Sequence, residues 1–224
     1  MLAFERQNVL KLKLSSFFFD LDGTLVDSRQ DLTNSANVTR KYFGLSEIDI
    51  KTLSNYVGDG INELVKRLLP SLSEEKIALG VKIFKEYYSK HCVDNTKPYP
   101  DVIEMLEYYK DKTKAVITNK VQSFSCKILE KLDMLKYFDL VLGGDSTPLI
   151  KPDSMPLEGA ISLLNLDKKN IIMVGDGPTD IKAGKNAGIL TCAVTYGLKE
   201  RSFLEKLKPD FMIDKIMDMT NLFE

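Results

Sequence analysis

Apolar and polar positions along the chain follow two regimes. At 17–19 phenylalanines stand in a row, fit for a short strand buried on both faces, and the run stops on Asp20. From 28 to 95 the spacing is helical. The stretch 28–43 carries Leu32, Ala36 and Phe43 and stops at Gly44. Ile61, Leu64, Val65, Leu68 and Leu69 then form the i, i+3, i+4, i+7, i+8 stripe of a one-sided helix, ended by Pro70. A third helix is expected to start at the capping pattern Ser71-x-x-Glu74 and to bury Ile77, Val81, Phe84 and Tyr88. These stripes read as core, and no strand is expected between 28 and 95.

Beyond that stretch the period alternates. Pro98-Tyr99-Pro100-Asp101 opens a helix carrying Val102, Met105, Leu106 and Tyr109. Strands are predicted at 114–117, 138–142, 170–174, 190–194 and 210–213. Helices fall at 123–135, 155–165 and 179–187, the last closed by Gly188. Such alternation predicts an α/β fold, a doubly wound, Rossmann-like parallel sheet with helices on both faces. Residues 1–27 and 96–224 would form that core, and 28–95 an all-helical insertion after the first strand.

Composition narrows the class without changing this picture. A chain of 224 residues, 44% hydrophobic and 28% charged, can bury one core plus a smaller subdomain. The net charge of −1, with no long basic or acidic run, suggests neither nucleic acid nor an anionic membrane as partner. No apolar run approaches the ~20 residues that span a bilayer. Residues 1–14 alternate apolar and charged positions, lack the apolar core of a signal peptide, and read as a leader to the first strand. Cys92, Cys126 and Cys192, odd in number and without a CxxC pair, point to reduced thiols and the cytoplasm, with Cys192 a core thiol. His91 is the single histidine, near a helix end, so a zinc site built on several histidines is excluded.

The chemistry must then run on carboxylates, hydroxyls and lysines. Open parallel sheets bind ligands at the carboxyl ends of their strands. Along that edge the first strand ends in Asp20-x-Asp22-Gly23-Thr24, the strand at 114–117 in Thr118-Asn119-Lys120, and the strand at 170–174 in Gly175-Asp176-x-x-x-Asp180. The loop after 138–142 leads to Lys151-Pro152. Two carboxylates ~5 Å apart repel by about 3 kcal/mol at an effective dielectric of 20, so a cluster of such acids calls for a cation. Oxygen donors without histidine or cysteine favour Mg2+ over zinc. Neither a G-x-x-x-x-G-K-[ST] loop nor a full dinucleotide fingerprint is present; Gly58-Asp59-Gly60 reads as the start of the helix at Ile61, facing the site from above.

This ordered set of motifs resembles the haloacid dehalogenase superfamily, in its phosphatase branch. The resemblance covers nearly the whole chain and implies roles. Asp20 would be the nucleophile that forms an aspartyl-phosphate, ionised at neutral pH. Asp22 would protonate the leaving oxygen and later activate water. Thr118 and Lys151 would assist catalysis and hold phosphate, with Asp22, Gly23 and Asn119 also at the phosphate. Asp20, Asp176 and the Asp22 backbone carbonyl would hold Mg2+. Asp180 is open between a ligand through water, a partner of Lys151, and a first-turn acid favoured by the helix dipole.

The helical insertion resembles the cap of the phosphoglycolate phosphatase-like subgroup, with hinges at 26–31 and 95–101. Arg67 and Lys66 are possible contacts for a substrate carboxylate. The implied reaction is Mg2+-dependent hydrolysis of a small phosphorylated metabolite, 2-phosphoglycolate first, by a monomer or homodimer. Phosphoryl transfer as in β-phosphoglucomutase and pyrophosphate hydrolysis are the alternatives, with a non-catalytic phosphate-binding module behind them. A dehalogenase is disfavoured because that branch lacks the acid supplied here by Asp22.

Overall fold

The structure, a computed structural model, describes residues 11–224. In chain order, β1 (Ser16–Phe19) and β2 (Val26–Asp27) precede helices α1 (Arg29–Tyr42), α2 (Ile50–Tyr56), α3 (Gly60–Leu68) and α4 (Glu74–His91). Strand β3 (Lys97–Pro98) brings the chain back, followed by α5 (Val102–Tyr108), β4 (Thr113–Ile117), α6 (Gln122–Lys131), β5 (Leu140–Leu142) and α7 (Met155–Leu163). The rest runs through β6 (Ile171–Gly175), α8 (Pro178–Ala187), β7 (Leu190–Val194), α9 (Arg201–Lys206), β8 (Phe211–Ile213) and α10 (Met219–Leu222).

Six strands form one parallel sheet of order β5-β4-β1-β6-β7-β8. Strand β1 lies between β4 and β6, with Phe17 opposite Lys114 on one side and Ile172 on the other. All four of its residues are buried. Successive side chains alternate faces. Phe17 and Phe19 join Val116, Ile172 and Val174 in a cluster closed by Met105 of α5 and Ile128 of α6. Phe18 turns the other way, onto Ala115, Met173, Leu157 of α7 and Ala183 of α8. Burying each ring contributes about 1.5–3 kcal/mol, so β1 anchors both layers at once. This is the doubly wound arrangement predicted from the alternation. From β1 the chain runs outward to β4 and β5, then crosses back to β6 on the other side of β1, and this reversal opens a crevice at the carboxyl end of β1.

The four helices α1–α4 interrupt the chain between β2 and β3. These two short strands pair antiparallel, Val26 opposite Pro98 and Asp27 opposite Lys97, so the outgoing and returning segments run side by side. Asp31, in the first turn of α1, fastens them. Its buried carboxylate accepts from the Asn95 backbone N–H (3.0 Å) and side-chain amide (2.8 Å), and from the Thr96 N–H (2.8 Å) and hydroxyl (2.7 Å). Burial alone would raise its pKa, but these donors prevail and hold it below the ordinary carboxylate value. The inserted helices bury Leu32, Leu53, Leu64, Leu68 and Phe84 in the same apolar cluster that lies under Phe17.

Two local expectations are corrected. Ser71 does not cap the third inserted helix: it sits at φ 68°, and the N-cap is Ser73, after a turn that Pro70 forces before the helix can begin. Helix α2 was not expected. It buries only Leu53 and so shows no stripe, but Asp49 caps it by accepting from Thr52 N–H at 2.7 Å. Of the predicted leader, residues 1–10 lie outside the described residues. Leu12 and Leu14 pair with the other end of the chain, through Leu12 N–H to Leu222 C=O and Leu14 N–H to Glu224 C=O, both 2.9 Å. Cys92, Cys126 and Cys192 are free thiols, and Cys192 is buried in the sheet. Among the described residues no helix is long and apolar enough to cross a membrane.

Candidate active site

Three strand ends and one loop deliver the acids and lysines to a single cavity of about 800 Å³ at the carboxyl edge of the sheet. Asp20 follows β1 and is held in register by its N–H to the Val174 carbonyl, 2.9 Å. Asp176 follows β6, and Asp180 stands in the first turn of α8. Carboxylate oxygens of Asp20, Asp176 and Asp180 lie within 4.8 Å of one another. Lys151 arrives from the loop after β5 with its side chain 1% exposed. Its ammonium donates to Asp20 Oδ1 (3.0 Å), Asp180 Oδ1 (2.6 Å) and the Ile117 carbonyl (2.5 Å). That fills its three donors, so Lys151 is no solvated loop lysine.

Several smaller residues hold this centre open. Gly23 adopts φ +85°, in the left-handed region, and a Cβ there would stand 2.3 Å from Asp176 Oδ2. The Asp176 carboxylate also accepts from the Leu198 N–H at 2.6 Å. Asp180 meets two of its open readings together: Oδ1 takes Lys151 and Oδ2 accepts from Gly177 N–H at 3.0 Å, capping α8. Thr118, at the end of β4, is buried and lines the cavity, and its hydroxyl accepts from the Lys120 N–H at 3.2 Å.

Asn119 sits in the wall, yet its side-chain amide is turned to the backbone. It accepts from Lys151 N–H (3.0 Å) and donates to the carbonyls of Lys151 (2.7 Å) and Gly58 (2.8 Å). This residue therefore positions Lys151 and joins the turn before α3 to the sheet edge. Gly58 and Gly60 reach the site from the inserted helices, as expected of that turn. Arg67 lines the cavity as well; Lys66 does not.

The carboxylate of Asp22 turns away from the three-acid cluster. It accepts from Ser28 Oγ (2.5 Å) and from Lys120 Nζ (3.0 and 2.8 Å to its two oxygens). From sequence, Lys120 is a residue at a strand end and Tyr88 a core position of a helix, and neither they nor Ser28 carry a role at the site. Lys120 stood in view at the end of β4, but its partner lies 98 residues away and nothing local announces the pair.

Burial is the first influence on charge here. It raises the Asp20 pKa to about 6, with Lys151 opposing and Asp180 and Asp22 reinforcing. Asp20 is therefore less acidic than an unperturbed aspartate, though still mostly ionised at neutral pH. Asp176 is held well above the ordinary range by burial, then by Asp180 and Asp20. For Lys151, burial disfavours the charge, but Asp180 and Asp20 outweigh it and raise the pKa. Two buried acids, Asp176 and Asp180, and the part-buried Asp20 against one shared lysine leave an excess of negative charge, and the donors are all oxygen. That set fits a hard divalent cation such as Mg2+.

A carboxyl with a raised folded pKa binds its proton more tightly in the folded chain. The contribution of Asp20 to stability is thus complete below about 3.8 and is lost as pH rises through about 6. A rise of that size corresponds to about 3 kcal/mol. We expect millimolar MgCl2 to raise the Tm of chelator-treated protein more at about pH 7.5 than at about pH 5. Equal gains at both pH values would place the ion elsewhere.

Residues 17–194 match the haloacid dehalogenase-like hydrolase family. The phosphoglycolate phosphatase of Neisseria meningitidis is 37% identical over 211 residues, covering 90% of each chain. That of Aquifex aeolicus is 35% identical over 208 residues, covering 92% of this chain and 95% of its own. A crystal structure from Haemophilus somnus, described as a predicted phosphoglycolate phosphatase, superposes with a TM-score of 0.88 at 31% identity, covering 93% and 97% of the two chains. With its parallel sheet, its acids at the strand ends and these relatives, the chain belongs to the haloacid dehalogenase-like hydrolase family, on its phosphatase branch.

Proposed function

We propose that the protein hydrolyses a small phosphate monoester, 2-phosphoglycolate foremost, through an aspartyl-phosphate on Asp20. The observation that carries this reading is the joining of Asp20 and Asp180 through one buried lysine, Lys151, within 4.8 Å reach of Asp176. The similarity to phosphoglycolate phosphatases of Neisseria meningitidis and Aquifex aeolicus supports the choice of substrate.

In this reading a carboxylate oxygen of Asp20 attacks phosphorus as the bond to the leaving oxygen breaks. Asp22 gives that oxygen a proton, then takes one from the water that attacks the phosphoryl group, so inorganic phosphate leaves and Asp20 is restored. Lys151 holds Asp20 in line and offers its charge to the phosphoryl oxygens, and the Thr118 hydroxyl donates to them. Mg2+ held by Asp20, Asp176 and the Asp22 carbonyl would neutralise phosphoryl charge. Helices α1–α4 act as a cap that excludes water and meets the leaving group.

The test is phosphate release from a panel of phosphorylated metabolites, with and without Mg2+. We expect the highest kcat/KM on 2-phosphoglycolate and loss of turnover with chelator. Phosphoryl transfer between positions of a sugar phosphate without free phosphate would replace hydrolysis by the mutase reaction, and no turnover on any ester would end the proposal.

A further inference from the structure

The cavity wall holds more cations than this reaction uses. Arg67 grips Asp59 at 2.5 Å and the Tyr56 carbonyl at 2.7 Å. Arg29 is tied to Asp27 by bonds of 2.8 and 2.6 Å, and Lys199 reaches the Ser54 carbonyl at 3.1 Å. Lys120 differs in its partner. Its side chain is 6% exposed, and its ammonium meets both oxygens of Asp22, the residue assigned to the leaving oxygen. The ring of Tyr88, from α4, closes its other side with the centroid 4.6 Å away. Because the ammonium meets both Asp22 oxygens, an oxygen that turns to the leaving group leaves it one of its two acceptors there. A buried ammonium that gives up a partner then favours any anion that replaces it.

We propose that Lys120 selects the leaving group, by receiving a carboxylate carried one carbon beyond the bridging oxygen. This rests on the phosphatase reading above and narrows it to phosphate esters of short α-hydroxy acids. Reach sets the limit. A leaving oxygen bonded to the Asp22 carboxyl lies about 2.7 Å from it, and Lys120 lies 2.8 Å from that same carboxyl. A carboxylate attached through one carbon falls within hydrogen-bond range of the ammonium. A longer leaving group sets its anion farther from that oxygen, and the two arginines that line the cavity are already held by Asp27 and Asp59. The Tyr88 ring, its centroid 4.6 Å from the ammonium, steadies that charge by cation–π attraction.

The experiment compares kcat/KM for 2-phosphoglycolate with that for 2-hydroxyethyl phosphate, which carries a neutral alcohol in place of the carboxylate. Wild type should favour phosphoglycolate. Lys120→Met should reduce that preference about 10- to 100-fold, the scale of one charged hydrogen bond. Lys120→Arg keeps the charge opposite Asp22 and should retain most of the preference. Any displacement of Asp22 slows both esters alike and cancels in the ratio. If Lys120→Met does not fold, Lys120→Gln keeps a donor to Asp22 without the charge and should show the same reduced ratio. An unchanged ratio in the folded uncharged variant overturns the assignment and leaves the phosphatase reading standing. No phosphate from either ester in wild type overturns that reading, and the assignment with it.

Discussion

Asp20→Asn should lower turnover by about 10⁴-fold or more, with the circular dichroism spectrum unchanged. The amide matches the carboxylate in shape but cannot form the acyl-phosphate bond. Stability should not suffer. Burial and two neighbouring acids already disfavour the Asp20 charge, as its pKa of about 6 records, so removing it relieves the metal-free cluster. The variant in chelator at neutral pH should therefore melt no lower than wild type, while phosphate release falls to background. Activity near wild type would remove Asp20 from the nucleophile role. A collapsed spectrum would show instead that the site cannot do without that charge.

Lys151→Met should cost both activity and stability. Its ammonium is the counter-charge shared by Asp20 and Asp180, and all its protons are placed on protein oxygens. Removing one partner from a buried charge pair destabilises by about 3–5 kcal/mol. The loss should be larger at about pH 7.5 than at about pH 5, because orphaned carboxyls escape part of the penalty by binding protons. Adding Asp180→Asn should restore part of the stability and none of the activity. Urea melts at the two pH values check the first statement and phosphate release the second. A Lys151→Met protein with wild-type melting and turnover would return this residue to the status of an ordinary loop lysine.

Much of this site was readable from residue order alone, for a physical reason. Strands buried on both faces must be apolar, so acids at their ends stand out: Asp20 after three phenylalanines and Asp176 after Ile171–Gly175. A parallel sheet sends those ends to one edge, which turns a linear list into a cluster. Lys120 escaped because a lysine after a strand is ordinary until its distant partner is known. The resemblance puts Asn119 at the phosphate as part of its second motif, and what residue order did not show is that its side-chain amide holds the backbone of Lys151. Helix α2 escaped because seven residues with one buried leucine leave no periodic signal. The pairing of β2 with β3 rests on two residues per strand, too few for alternation to show.

The Asp31 clasp bears on how the inserted helices behave as a body. Since one carboxylate binds the returning chain within the first turn of the departing one, the two crossings cannot slide or swing independently. The four helices thus leave and rejoin the core through one fastened joint, like a shutter bolted at both ends of its sill. A tug on Tyr88 or Gly58 from a molecule below would then tilt the whole shutter.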